Sequence, residues 1–255
     1  MFKKTLLFLI CLFIIILNIY CEGERDDGVI QRNFAFSEFD SLSIDGQFRV
    51  RIIKSEIWDI HISCAREDVN YVKLRKNSNT FEISMNAGRR IEMPSPVIVI
   101  SMPQLVQISL TGLVQMEAGG FSSQSDLSVT LNPGSFLNLS GFECSKANFT
   151  INGSSKLHVF MSAQRIELFS EGSPSVRIGG RAENLYITTN GNAKIDGSLL
   201  LVDFVNLELK GLSEVRITPD RELKISSTDQ AVIYFSDKYM DSPPIVEGNA
   251  ILRKY

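Results

Sequence analysis

Residues 147–195 read ANFTINGSSKLHVFMSAQRIELFSEGSPSVRIGGRAENLYITTNGNAKI, and the stretch repeats itself. Gly153, Gly172 and Gly191 recur at intervals of 19. Working outward, the same frame runs from Val106 to Tyr234, on turns at Gly112, Pro133, Gly153, Gly172, Gly191, Gly211 and Asp229. Successive gaps are 21, 20, 19, 19, 20 and 18 residues. Four places before each turn stand Ile108, Val129, Phe149, Leu168, Ile187, Leu207 and Ile225. Six before stand Val106, Leu127, Ala147, Ile166, Leu185, Val205 and Leu223, and four after stand Met116, Leu137, Leu157, Val176, Ile195, Val215 and Ile233.

Apolar residues two apart point to one face of a strand. Each row is therefore a short strand, a turn and a second short strand. One row is too small to bury its apolar face, but stacked rows bury a continuous core. The reading is all-β: a parallel β-helix with coils of about 20 residues, preceded by a less regular β region. A helical solenoid would need apolar spacings of three and four, which the rows lack. Asn152-Gly153 and Asn190-Gly191 supply residues that tolerate positive φ at the bends. Pro133, Pro174 and Pro219 fall at or near predicted turns, where a strand-rich fold accepts them.

The chain has 255 residues and a net charge of -3. No Lys/Arg stripe stands out to neutralise phosphates, which argues against nucleic acid as a partner. Residues 1–20 read as a signal peptide: Lys3 and Lys4, then an apolar run from Thr5 to Tyr20 that is short for a membrane span. The run stops at Cys21 and resembles the lipoprotein signal of bacteria, which marks Cys21 as the lipidation site and the membrane as a partner through an N-terminal lipid anchor. Asn18, Ile19 and Tyr20 stand where small residues are usual, so an uncleaved anchor and ordinary secretion are the rival readings. Each buried CH₂ of an acyl chain adds about 0.8 kcal/mol of membrane affinity, and stable anchoring takes more than one chain. Residues 21–33 are polar and charge-rich, the composition of a flexible tether.

Residues 34–102 alternate as strands at Phe48-Val50-Ile52, Trp58-Ile60-Ile62-Cys64 and Phe81-Ile83-Met85. Residues 103–240 carry the repeat, and 241–255, with Pro243-Pro244 and Ile251-Leu252, read as a cap over the last coil or a tail. Arg89 and Arg90 fall in a predicted loop, solvated or in contact with an anionic glycan or headgroup. His61 alternates away from the apolar face and is expected at the surface. Cys64 and Cys144 lack the spacing and the His neighbours of a metal site. They stand either as a disulfide in an oxidising compartment or as two separate small apolar side chains.

A family resemblance rests on three groups of residues. Phe39-Asp40, Ile44, Gly46, Val50 and Ile52 form the first; Pro103, Leu105, Ile108 and Gly112 the second. The glycine-punctuated rows and the ending Ile233-Tyr234-Phe235, Pro244 and Ile245 form the third. Together, over about residues 34–250, they resemble the bacterial putative autotransporter adhesin, head GIN domain. The resemblance implies an exported, lipid-anchored protein of the cell envelope with a right-handed β-helix. The chain departs from the pattern at Asn132-Pro133-Gly134, where a local bulge is expected.

No G-x-S-x-G, HExxH, Walker-type loop or dinucleotide fingerprint occurs. Charged candidates on an outward face are Glu167, Glu171, Arg165, Arg177, Arg181 and Lys194. A glycosidase pair needs two carboxylates within roughly 5–10 Å. Glu167 and Glu183 stand five and eight places before their turns, so stacking does not bring them together. The expectation is no catalytic, cofactor or metal site, and a non-enzymatic, membrane-tethered envelope protein presenting a rigid β-helix surface to a protein or glycan ligand, with adhesion as one use of it. The alternative is a carbohydrate-binding or polysaccharide-processing β-helix, which predicts a surface line of aromatics. Phe121, Phe136, Phe142 and Phe160 lie off the columns but share no offset.

Overall fold

A computed structural model describes residues 28–85, 95–122 and 125–255 of the chain; the expected signal segment, Cys21 and the Arg89-Arg90 loop lie outside the described residues. The N-terminal region comprises β1 (Val29–Phe34), β2 (Ser41–Lys54), β3 (Asp59–Ala65), β4 (Val72–Asn77), β5 (Thr80–Met85) and β6 (Val97–Met102). The repeat comprises β7 (Gln107–Gly119), β8 (Leu127–Leu131), β9 (Phe136–Gly153), β10 (Lys156–Gly172), β11 (Ser175–Gly191), β12 (Lys194–Lys210) and β13 (Glu214–Ser227). β14 (Val232–Phe235), β15 (Ile245–Gly248) and β16 (Ile251–Lys254) follow.

These strands join in one sheet, and from β2 to β14 the neighbours run parallel, coil on coil, as a β-solenoid. The predicted columns are stacks of register partners. Leu42, Ile108, Val129, Phe149, Leu168, Ile187, Leu207, Ile225 and Val246 follow one another rung by rung. So do Val50, Met116, Leu137, Leu157, Val176, Ile195, Val215, Ile233 and Leu252. All members of the three predicted columns are buried except Val106, which is half-buried beside the interior Leu105. Each fully buried Leu or Ile contributes about 1.5–3 kcal/mol.

Two further inward columns complete the core. Leu110, Leu131, Ile151, Ser170, Thr189, Leu209 and Ser227 form one, and Ala118, Leu139, Val159, Ile178, Gly197, Ile217 and Phe235 the other. Two polar members of the first have partners at the corner: Ser227 donates to the Asp229 carbonyl at 2.7 Å, and Thr189 meets Ser213. Ser213 Oγ donates to the Gly191 carbonyl at 3.1 Å, shares a hydroxyl–hydroxyl bond with Thr189 Oγ1 at 3.0 Å and accepts from the Ala193 N–H. Asn152 Nδ2 donates to Asn132 Oδ1 at 3.2 Å, and Asn132 Nδ2 to Thr111 Oγ1 at 3.0 Å, a side-chain ladder running up the corner.

Two expectations are corrected. The tether does not extend to residue 33, because Val29–Phe34 pairs antiparallel with β3 as an edge strand. Nor is there a bulge at Pro133. The register against β7 is offset by 21 residues both before the turn, at Val129, and after it, at Leu137. Pro133, lacking an N–H, instead separates β8 from β9, and Gly134 takes the positive φ of 93°. Register shifts occur at the second corner, between Phe160 and Met161 and between Arg177 and Gly179.

Candidate binding surface

After each glycine corner the strand alternates. On β10, Leu157 and Val159 turn inward while Lys156, His158 and Phe160 turn outward. Register then stacks the outward residues of neighbouring rungs, spaced by about 4.8 Å. His158 lies beside Arg177 and Arg177 beside Asp196. Phe160 lies beside Gly179 and Gly179 beside Leu199. The outer position at Gly179 is empty of side chain for a reason: a Cβ there would stand 2.8 Å from Phe160 Cδ2 and 3.2 Å from Leu199 Cβ. The ring leans over the glycine, and Phe160 is still 58% exposed, with Leu199 at 75%.

The exposure of Leu199 follows from a bulge in β12. Gly197 pairs with Ile217 and Val202 with Pro219, so Ser198–Leu201 oppose Thr218 alone. Leu200 turns into the core while Leu199 and Leu201 are pushed into solvent. Phe160 on β10 and Leu199 on β12 thus meet across Gly179 of β11 as an apolar strip lining a groove of about 210 Å³, with Leu201 further along β12 beside Arg181.

Polar groups flank the strip. Burial and the cations of Arg177 and Lys156 hold the His158 pKa below its ordinary value; its ring meets Phe136 edge-on at 5.2 Å. Burial works to raise the Asp196 carboxyl. The hydrogen bonds from the Ser198 hydroxyl and N–H, with Arg216 and Arg177 nearby, outweigh it and lower the pKa. Arg177 itself makes no ion pair within 4.0 Å among the described residues.

A larger and more open cleft of about 500 Å³ lies on the face beyond the second corner, where Glu143, Arg181, Glu183 and Asp203 mix charges of both signs. Among the described residues no group of three His, Cys, Asp or Glu could hold a metal ion. The other charged candidates are accounted for within the fold. Glu167 pairs with Lys146 at 3.0 Å and Arg165 at 2.6 Å, and Arg165 lies over Tyr186 at 4.1 Å. The register partner of Glu167 on the next rung is Tyr186, so Glu183 stands apart from it. Glu171 lies between Asn152 and Asn190 at the turn, and Lys194 between Ser175 and Glu214.

The four off-column phenylalanines divide. Phe121 and Phe142 are buried and stacked at 5.2 Å in the second corner, whereas Phe160 faces outward. His61 is half-exposed as expected and has a partner the sequence did not reveal, Asn33 Oδ1 at 2.7 Å. Cys64 and Cys144 are both free.

The family described as "Putative auto-transporter adhesin, head GIN domain" matches residues 38–237. The fold is similar to the crystal structure of a putative adhesin from Parabacteroides merdae, at 16% identity over 90% of this chain and 97% of that one, with a TM-score of 0.82. A putative lipid binding protein from Parabacteroides distasonis gives 10% identity, 90% and 98% coverage and a TM-score of 0.78. A putative adhesin from Bacteroides fragilis gives 16% identity, the same coverage and a TM-score of 0.60. At these identities the likeness is one of fold. No curated protein matches the chain.

Proposed function

The chain belongs to the family described as "Putative auto-transporter adhesin, head GIN domain", and on that premise we propose that it is a non-enzymatic binding module of the bacterial cell envelope. The observation that carries the reading is the strip of Phe160 and Leu199 standing in solvent beside Arg177, which makes no ion pair within 4.0 Å among the described residues. A solenoid core needs none of these side chains outward, and aromatic, aliphatic and Arg anchors inside a polar rim are the composition of a recognition surface. The rigid stacking of the coils preorganises them. Cys21, carrying acyl chains, is the proposed tether, which makes the module an envelope protein held to a membrane.

A second reading is favoured by Phe160 alone. Its ring leans on Gly179 and leaves a face open, with Asn138, His158, Arg177 and Asp196 around it, an arrangement suited to stacking against a sugar ring and hydrogen-bonding its hydroxyls. Wild-type protein and the Phe160→Ser/Leu199→Ser variant, applied to arrays of immobilised matrix proteins and of glycans, test both readings. Retention by the wild type alone is expected. Retention on glycans and not on proteins selects the second reading; equal retention of both proteins removes the strip from the function. Protease digestion on intact cells, with an internal protein as control, then reports whether the module faces outward.

A further inference from the structure

The two ends of the solenoid differ. At the N-terminal end, β1 and β4 are, among the described residues, the outer edge strands, and both carry cations: Arg32 on β1, and Lys73, Arg75 and Lys76 on β4. At the C-terminal end, β15 covers part of β13 and β16 covers β14, and among the described residues no strand pairs with their outer edges. Among the described residues the last members of the core columns are Val246 above Ile225 and Leu252 above Ile233. Ile245 is 49% and Ile251 40% exposed.

The direction of the free backbone groups can be read. The N–H of Asn249 donates to the Ser227 carbonyl, that of Ile251 to Ala231 and that of Tyr255 to Phe235, all back toward the preceding rung. Alternation then turns the N–H and C=O of Val246, Gly248, Leu252 and Lys254 outward to the open edge. These are also the residues on the inward side-chain positions, as Val246 and Leu252 show.

We propose that this end pairs with a second copy of the chain about a two-fold axis near Ala250, β15 of each subunit running antiparallel to β16 of the other. One register satisfies every constraint. It sets Val246 opposite Lys254 of the partner subunit and Gly248 opposite the partner's Leu252 as hydrogen-bonded pairs, inward positions against inward. Glu247 then faces Arg253 of the partner subunit across the close, non-hydrogen-bonded pair, where opposite charges attract most. A shift of two residues would put Glu247 against the partner's Ile251 or Tyr255 and shorten the overlap. The two-fold repeats each contact twice and closes the assembly. Head-to-tail stacking is disfavoured, since Arg253 and Lys254 would meet the cations of β1 and β4. The pairing is independent of the Phe160 surface.

Sedimentation equilibrium of the full chain in detergent tests it. The wild type is expected to be a dimer. Glu247→Arg and Arg253→Glu should each weaken it by about tenfold or more, with unchanged thermal midpoints, and the combined variant should restore it. A monomer, an open-ended polymer, or a dimer indifferent to the single reversals would overturn the proposal. Single reversals that weaken the dimer without rescue by the pair would overturn the register.

Discussion

Gly211 sits directly over Gly191: a Cβ built on Gly211 would stand 2.2 Å from the Gly191 carbonyl oxygen. Gly191 stands in the same relation to Gly172, at 2.3 Å, so the corner is a stack of bare backbone. The φ angles are 95° at Gly211 and 135° at Gly191, outside what an L side chain adopts freely. Gly211→Ala should therefore cost about 2 kcal/mol or more, combining a conformational penalty of about 1–2 kcal/mol with displacement of a backbone carbonyl. Gly120→Ala is the control, because Gly120 has φ 77° but no atom within 4 Å of its Cβ position. Denaturant melts of both variants check this; equal losses would remove the steric part of the argument.

Ser170 and Ser213 occupy similar buried positions with opposite consequences. The Ser170 hydroxyl is buried without a hydrogen-bond partner, between Ile151 and Thr189 in its column. Replacing it by Ala removes an unsatisfied polar group and should leave stability unchanged or raise it by up to about 1 kcal/mol. Ser213→Ala deprives the Ala193 N–H, Thr189 and Gly191 of their partner and should cost about 1–3 kcal/mol. Calorimetric midpoints of the two variants should move apart.

The inward columns predict ordinary cavity energetics. Phe149→Ala should lose about 3–5 kcal/mol and Leu168→Ala about 2–5 kcal/mol, since both are buried on rungs with neighbours above and below. Neither touches the Phe160 strip, so ligand retention at low temperature should survive in the folded fraction. Normal melts would contradict the column assignment.

These columns were legible because their members are apolar in almost every row and the corner preserves their phase. The column through Ser170, Thr189 and Ser227 was hidden by its own polar residues, and that of Ile178 and Ile217 by Gly197 and the small Ala118. Phe121 and Phe142 escaped for a different reason. They lie in the second corner, where register shifts between coils destroy a fixed offset from the glycine turns. The same slippage concealed the candidate surface: Phe160 and Leu199 meet across Gly179 only because β12 carries an extra residue there. Strand β1 gave no signal, since Val29–Phe34 is an edge strand with little buried surface.

Acid should loosen the Lys146-Glu167-Arg165 network. The hydrogen bond from Lys146, helped by that from Arg165, lowers the Glu167 pKa against the opposing effect of burial. A depressed folded pKa contributes stability that is fully present above the unfolded value of about 4.3 and is lost as pH falls through the folded one. Thermal midpoints measured against pH should fall less steeply on the acid side in Glu167→Gln than in the wild type. The group is partly exposed, so high salt should shrink the difference. Identical pH profiles would show that the pair contributes nothing.

Cys144 should be a poor nucleophile despite partial exposure. Burial, reinforced by the charge of Asp126 and only partly offset by the Leu127 N–H, pushes its pKa up to about 11. The thiolate is the reactive form, so its fraction at pH 8 is far below that of an ordinary cysteine. Peptide-resolved mass spectrometry of alkylation by iodoacetamide should give a slow rate at pH 8 that keeps rising toward pH 11, and Asp126→Asn should shift that profile to lower pH. Cys64, also raised by burial and by Asp68, should lag as well. Rapid alkylation of Cys144 near pH 7 would mean that its thiol is not held in the environment of β9 described above.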